Sequence, residues 1–489
     1  MKNRTRRICA VMLAVVLMLS GCGENAGGKD GKVTLRIVTE EIGQSNRDWA
    51  TPRLINQLSM LIIDYKESHE NVDIVWEKIP FSGEARTAKL EQLRTELMAG
   101  KGPDVLILPG GSVLIGEMGV FKEGLLPNVE LAMRNGLFTD ISEYYDADTE
   151  LGKDSLNTTV MDAGVVDGAR YVLPLRYDFP VACVNMDAFA QTGLSTDIFE
   201  GGIMTFMEAS AQVENKAACS MMVDYNMLFQ ENLLAQAIDY DEQKVILTKD
   251  ELANYAEVYL RYFAKCRMID NNPEHADMRM FGRLDLDTGN EIPWHNSWIN
   301  SGHWMCVEPL DRTIHAVARA KSIEAELQMF PLRAADGKLT ADVTLYGAVG
   351  AGCKNPDIAY DFLRQLLLED FQWEKNTDAD TAFVYLAAQG YPVRTKDSVS
   401  VLVQGLAEQI GFERTSLDRK QMLLSLTDAD IPVLNASIDR VIFPISWYDD
   451  VDGGIKGAYL AEKNDKGKPD TDSLAEQWLK NLEWHLAES

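Results

Sequence analysis

The 489-residue chain is poor in the residues from which reactive centres are most often built. It has 7 Cys and 6 His. No two cysteines stand at CxxC spacing, so there is no zinc-ribbon or thioredoxin signature. There is no HExxH helix, no GxSxG elbow and no Walker A lysine. Gly347, Gly350 and Gly352 run GxxGxG, the reverse of a nucleotide loop, and read as backbone geometry. Basic residues are also short: 47 Lys and Arg face 75 Asp and Glu, a net charge of −28. That excludes a nucleic-acid or anionic-membrane binder, which needs clustered cations. Beyond the first thirty residues no stretch approaches 18 uninterrupted apolar residues, so no membrane span is expected there. What remains is ordinary for a globular protein of two or three domains, 46% hydrophobic and 25% charged.

The N-terminal thirty residues read as an address. Lys2, Arg4, Arg6 and Arg7 precede a run of 12 apolar residues from Ile8 to Leu19, which is too short to span a bilayer and has the form of a signal-peptide core. Leu19-Ser20-Gly21-Cys22 then supplies small residues for a protease groove and a thiol that can carry lipid. This resembles a bacterial lipobox, with Cys22 as the lipidated residue. Cleavage would remove four basic residues and leave the chain near −32. Gly23 to Lys32, GENAGGKDGK, is a flexible tether. Holding such a chain stably at a membrane takes more than one acyl group. Cys183, Cys219, Cys266, Cys306 and Cys353 are then left over. Five is odd, and they read mostly as small buried hydrophobes, with one disulfide left open.

Along the chain, Val33 to Val38 and Val72 to Trp76 alternate as strands, Ile55 to Glu67 and Thr87 to Ala99 have helical spacing, and Val105 to Leu108 is a short buried strand. This order predicts a mostly parallel α/β sheet. Gly110-Gly111 opens a loop at a strand's C-terminal end, where such sheets bind ligands. Later strands are expected at Tyr171–Leu175, Val181–Asn185 and Val343–Val349. Helices are expected at Phe206–Ala218, Glu231–Ile238, Leu252–Phe263, Ile358–Leu368 and Ser473–Ala487.

Several elements together resemble the extracellular solute-binding proteins of bacterial ABC importers, the carbohydrate-type family 1 that includes maltose-binding proteins. After the lipobox, Ala99-Gly100-Lys101-Gly102-Pro103-Asp104-Val105 looks like the family's "aGkgPDv". Asp162-Ala163 with Asp167-Gly168-Ala169-Arg170-Tyr171-Val172-Leu173-Pro174 looks like "da…dGk.yglP". Asn185-Met186-Asp187 with Phe189 and Gly193-Leu194 looks like "yNkd.f...Gl", and Gly302-His303-Trp304 like "G.w". Tyr346 to Gly352, Lys354-Asn355-Pro356, Ala359-Tyr360 and Phe362-Leu363 look like a late turn and helix. Tyr391-Pro392-Val393-Arg394 resembles "iPv.k". Cys183 and Cys353 depart from the pattern. The resemblance covers most of the chain after the tether. It implies an α/β, two-lobed periplasmic-binding-protein fold of type II, with mixed sheets flanked by helices and a ligand cleft between the lobes. Crossings would fall near Asp140, Glu308 and Gly352, giving 1–21 as signal peptide, 22–32 as lipidated tether, 33–140 plus 308–352 as N-terminal lobe, and 141–307 plus 353–489 as C-terminal lobe.

A sugar offers C–H faces to aromatic rings and hydroxyls to carboxylates, amides and Arg. Trp294, Trp298 and Trp304 lie within eleven residues without a clean period. That suits a loop reaching into a cleft, with a core corner as the alternative. Trp304, at the family's "G.w", is the first candidate. Trp447 in Trp-Tyr-Asp-Asp, and Trp49 with Glu41 and Asp48 in the loop after the first strand, are further candidates. Gly111 and Ser112 can offer backbone N–H groups. Arg176, Tyr177 and Asp178 follow an apolar strand, for ligand contact or as a structural Arg176–Asp178 pair.

The expected protein is a monomeric, non-enzymatic, lipid-anchored capture protein on the extracytoplasmic face of the cell membrane. It would hand a sugar or oligosaccharide to ABC permease subunits, with no cofactor, no metal and no nucleic-acid partner. A polyamine, phosphate-ester, peptide or metal cargo, or presentation of ligand to a sensor, would use the same cleft. A glycoside hydrolase needs two flanking carboxylates, and nothing in the sequence singles out such a pair.

Overall fold

The structure, a computed structural model, describes residues 32–40, 53–80, 83–111, 113–115, 120–122, 124–213, 237–270, 283–284, 291–292, 304–310, 313–322, 324–368, 390–394, 426–444, 454–455, 458 and 470–487. The opening β–α–β–α–β alternation forms as expected: β1 (Val33–Glu40), α1 (Arg53–Ser68), β2 (Val72–Ile79), α2 (Gly83–Met98) and β3 (Val105–Pro109). β2 and β3 flank β1, and both pair with it in parallel. α2 stops where its sequence says it should. Gly100 takes a φ of 66°, its N–H reaches Leu97 O, and the N–H of Lys101 reaches Glu96 O. Those two bonds satisfy carbonyls that the helix end would otherwise leave bare.

The rest of the first sheet departs from a parallel plan. β4 (Val172–Asp178) is buried along its whole length. It pairs antiparallel with β8 (Thr340–Val349), which in turn runs antiparallel to β3. β9 (Tyr391–Pro392) adds to the far edge of β4, and β10 (Arg440–Ile442) pairs in parallel with β8. The result is a seven-stranded mixed sheet, β9-β4-β8-β3-β1-β2 with β10 on β8. The second sheet has three antiparallel strands, with β5 (Pro180–Asn185) between β6 (Met305–Pro309) and β7 (Leu327–Pro331). Its helices include α3 (Gly202–Ala211) and α4 (Lys249–Asp270). α4 starts with a reciprocal cap: Thr248 Oγ1 accepts from Glu251 N, and Glu251 Oε2 accepts from Thr248 N at 2.8 Å. α5 (Thr313–Ser322), α6 (Pro356–Gln365) and α7 (Thr471–Ala487) complete the elements used below.

Two expected helices need correction. α3 begins at Gly202, earlier than Phe206, and ends at Ala211; residues 214–236 lie outside the described residues. Ile238 belongs to a short strand pair with Val245, not to a helix.

The expected crossings also move. Phe138 bridges Gly350 and the N–H of Thr139 reaches Val349 O, so the chain near Asp140 stays on the first sheet. Glu308 sits inside β6, opposite Val181 of the second sheet. Beyond Gly352 the chain runs into α6, whose Ala359, Tyr360, Phe362 and Leu363 pack in the largest core, together with Leu35 and Ile37 of β1. The change of sheet occurs instead at β4–β5, around Phe179, and again between β7 and β8. A third change lies between Phe443, in a core of the first sheet, and Ile455, in the core of the second. Prolines mark this junction. Pro180 pairs with Pro309 and Pro331 with Val181, all at the end of the second sheet nearest the first. Proline lacks an N–H for the ladder and suits the place where pairing stops.

The two sheets have different cores. One face of the first sheet packs Val38, Leu106, Leu108, Val343 and Tyr346 against Leu125, Val129 and Phe443. Its other face belongs to a large cluster that also takes Cys183, Cys306 and Ala316 from the second sheet's side. The outer face of the second sheet holds Phe189, Phe199, Phe206, Tyr259, Tyr262, Trp304 and Trp478. Among the described residues no helix is long and apolar enough to cross a membrane.

Candidate functional site

The C-terminal ends of β1 and β3 gather polar groups that the sheet interior does not need. Glu40 ends β1 and is 1% exposed. Its Oε1 accepts a very short hydrogen bond from Nη2 of Arg86, on the buried face of α2, and its Oε2 accepts from Leu125 N at 3.3 Å. Arg86 also donates to Pro80 O at 3.2 Å. Burial pushes the Glu40 carboxyl above its ordinary range, against the opposing pull of Arg86 and the Leu125 N–H. The Tyr346 hydroxyl, wholly buried on β8, is pushed upward by burial and then by the Glu40 charge. It has no hydrogen-bond partner among the described residues. The Tyr346 ring meets Phe138 and Phe443 edge-on, at 6.4 Å and 5.6 Å.

The glycines after β3 are set by close approach. A Cβ on Gly110 would lie 1.5 Å from Val343 O, and one on Gly111 would lie 2.7 Å from Pro444. Gly124 approaches the Gly111 carbonyl in the same way. Three segments therefore converge on this edge: the end of β1, the turn after β3, and the chain at Phe443–Pro444 that leads toward Trp447. These are the stretches that carry the candidates Glu41, Asp48, Trp49, Ser112 and Trp447. Those five residues, with Trp294 and Trp298, lie outside the described residues, as does Cys22.

Arg176, Tyr177 and Asp178 are buried at the junction of the sheets, at 5%, 2% and 2% exposure. Asp178 Oδ1 accepts from the N–H of Phe179 at 2.7 Å and of Leu310 at 2.6 Å. It thereby ties the β4–β5 junction to the end of β6. Asp342 of β8 stands opposite Asp178 in register and is also buried. The Tyr177 ring meets Tyr391 edge-on at 5.9 Å, and burial pushes its hydroxyl upward. Through its two hydrogen bonds Asp178 holds the strands where the chain changes sheet.

Trp304 is corrected. It is 0% exposed, with its ring centroid 5.2 Å from Phe189, 6.3 Å from Phe206 and 6.5 Å from Phe199. No face of the ring is open to a ligand, and its burial is that of a core anchor. Gly111 follows β3, and its tight packing against Pro444 is its visible constraint. Sequence reasoning missed Glu40, Arg86, Tyr346 and Asp342. A signal for two of them existed. Glu40 is a carboxylate that closes an otherwise apolar strand, and Arg86 lies in helical phase with Leu90, Leu93 and Leu97 on the apolar stripe of α2.

No family model matches the chain, and no curated protein matches it in sequence. Solved structures do match its fold. The sugar-binding protein MalE from Xanthomonas citri superposes with a TM-score of 0.53 at 12% identity, covering 93% of this chain and 98% of that one. The galacto-N-biose-/lacto-N-biose I-binding protein of an ABC transporter from Bifidobacterium longum, in complex with lacto-N-biose, gives 0.52 at 13% identity, covering 94% and 98%. An extracellular solute-binding protein of family 1 from Alicyclobacillus acidocaldarius gives 0.51 at 14% identity, covering 93% and 98%. The fold is thus that of the two-lobed solute-binding proteins, as the sequence elements implied. The similar structures are mainly binding proteins.

Proposed function

We propose that this chain is the solute-binding component of an ABC importer, which captures a sugar or short oligosaccharide outside the membrane and delivers it to permease subunits. The observation that carries the reading is a fold match over nearly the whole of both chains with proteins that bind sugars. The mechanism is capture without catalysis. Ligand shifts open and closed arrangements of the lobes toward the closed one by touching both. The lobes follow sheet membership: 33–178 with 340–444, and 180–331 with 454–487. The ligand would lie over the edge formed by Glu40, Gly110–Gly111 and Pro444, contacted by the loops carrying Glu41, Asp48, Trp49, Ser112 and Trp447, with Trp294 and Trp298 from the other lobe. Arg176, Tyr177 and Asp178 act as the hinge. The protein works as a monomer, held to the extracytoplasmic membrane face through lipid on Cys22. Cys22→Ser would abolish lipid labelling of the chain in cells.

A thermal-shift screen against mono- and oligosaccharides, polyamines, amino acids and metals tests the reading. A bound ligand at about 100 times its Kd stabilises by about 2.7 kcal/mol. A shift with a sugar, matched by a change in tryptophan fluorescence, is the expected result. A shift with a polyamine alone would keep the fold and overturn the cargo, and would fit the acidic surplus of the chain.

A further inference from the structure

Cys306 of β6 stands directly opposite Cys183 of β5 in the antiparallel register. Both belong to the same side of that sheet. They pack in the large core with Val181, Leu310 and Ala316, at 0% and 1% exposure, while Ala182, Val184, Met305 and Val307 face the aromatic core on the other side. The ladder also gives the type of pair. Asn185 N reaches Trp304 O at 2.8 Å and Leu310 N reaches Phe179 O at 3.2 Å. Pro180 and Pro309 face each other and have no N–H to give. Bonded pairs alternate, so Cys183 and Cys306 occupy a hydrogen-bonded position, where opposed Cα atoms stand about 5.5 Å apart. That separation lies inside the disulfide range of about 4.4–6.8 Å.

We infer that Cys183 and Cys306 form a cross-strand disulfide when the chain folds in an oxidising compartment. The two Sγ–H groups lose two protons and two electrons, and one S–S bond forms. The disulfide of an exported thiol–disulfide oxidoreductase takes up both electrons and protons, and opens to two thiols. Opposed Cβ atoms across strands stand about 4.5–5.5 Å apart, wider than the usual 3.5–4.5 Å of a disulfide. Closing the bond therefore draws β5 and β6 together. Cys353 belongs to a turn beside Asp104, and burial pushes its thiol up to about 12. The link joins the first strand after the β4–β5 junction to the strand whose end Asp178 holds through Leu310 N. It would stiffen the second sheet at the hinge.

The inference rests on the proposed export only for where the oxidant is met. The test uses the full chain recovered from the cell envelope, denatured and alkylated before and after reduction, then mapped by peptide mass. In parallel, the reduced chain is refolded in a glutathione redox buffer. The expected result in both arms is a Cys183–Cys306 peptide pair that separates on reduction, with Cys183→Ser leaving Cys306 fully alkylated. A link that forms in the buffer and not in cells would support the pair and overturn the export reading. Both thiols alkylated in each arm, or a link from either to Cys219, Cys266 or Cys353, would overturn the inference.

Discussion

The two sheets of this protein solve burial in opposite ways. The first spends its interior on charge: Glu40 with Arg86, and Arg176, Asp178 and Asp342 at the junction, all below 6% exposure. The second builds its outer core from rings, with Phe199 stacked on Phe330 at 4.4 Å and on Phe206 at 5.7 Å, and Trp304 and Trp478 fully buried. A buried ion pair gains little net stability, because desolvation cancels most of its Coulomb energy, but breaking it is costly. Buried rings gain stability from the apolar area they remove from water and from the stacked or edge-on geometry of each pair. Polar groups are thus concentrated at the edge of the first sheet and at the junction of the two sheets. The second core supplies rigidity.

The largest expected effect tests the aromatic side. Trp304→Ala should lower stability by about 3–5 kcal/mol, the usual cost of removing a large buried ring. The fraction that still folds should keep its sugar affinity. Melting curves with and without ligand separate the two. A collapse of affinity with an unchanged midpoint would put Trp304 back in the cleft and erase the contrast.

Glu40→Gln tests the polar side. It leaves Arg86 buried without its carboxylate, and removing one partner of a buried pair costs about 3–5 kcal/mol. Adding Arg86→Met should recover much of that loss, which denaturant unfolding would show. A single variant as stable as the parent would mean that Glu40 is already protonated and that the pair holds nothing together. Asp178→Ala should cost a comparable amount, since it strands the N–H groups of Phe179 and Leu310 at about 1–3 kcal/mol each. Asp178→Asn, which keeps an oxygen acceptor, should recover part of it.

How much of this was legible beforehand follows the same contrast. β1, α1, β2, α2 and β3 were readable because each has a period and an end signal, as Gly100 shows for α2. β8 was found as a strand, but its antiparallel seat between β3 and β4 is a non-local pairing with no local trace. The place where the chain changes sheet is marked by Pro180, Pro309 and Pro331, whereas Asp140, Glu308 and Gly352 follow from the resemblance alone. Trp304 misled because a tryptophan beside Gly302 and His303 reads as a loop. The apolar residues that follow it, Met305 to Val307, were the sign of a strand with a buried face. Glu40 was passed over for Glu41 because a carboxylate at a strand end looks solvated until α2 delivers Arg86.

The smallest effect sharpens the comparison from the surface. Glu77 on β2 binds Arg36 Nε at 2.5 Å and Lys89 Nζ at 2.5 Å, and Arg36 also reaches Glu96 at 2.6 Å. The hydrogen bond from Arg36, with that from Lys89, holds the Glu77 carboxyl down at about 2 against the cost of burial. A carboxyl depressed in the folded state stabilises above its unfolded value, about 4.3, and that contribution is lost as pH falls through about 2. The side chains are about a quarter exposed, so solvent screens the network. Glu77→Gln should cost only about 1 kcal/mol at neutral pH, less in high salt. The parent and the variant should therefore converge in stability as pH falls from about 4.3 to 2, whereas the Glu40→Gln difference should resist salt. Unfolding curves at several pH values and two salt concentrations would show it. A salt-insensitive Glu77 effect would mean that this network is as buried as the one at Glu40, and that the first sheet holds charge internally at both ends.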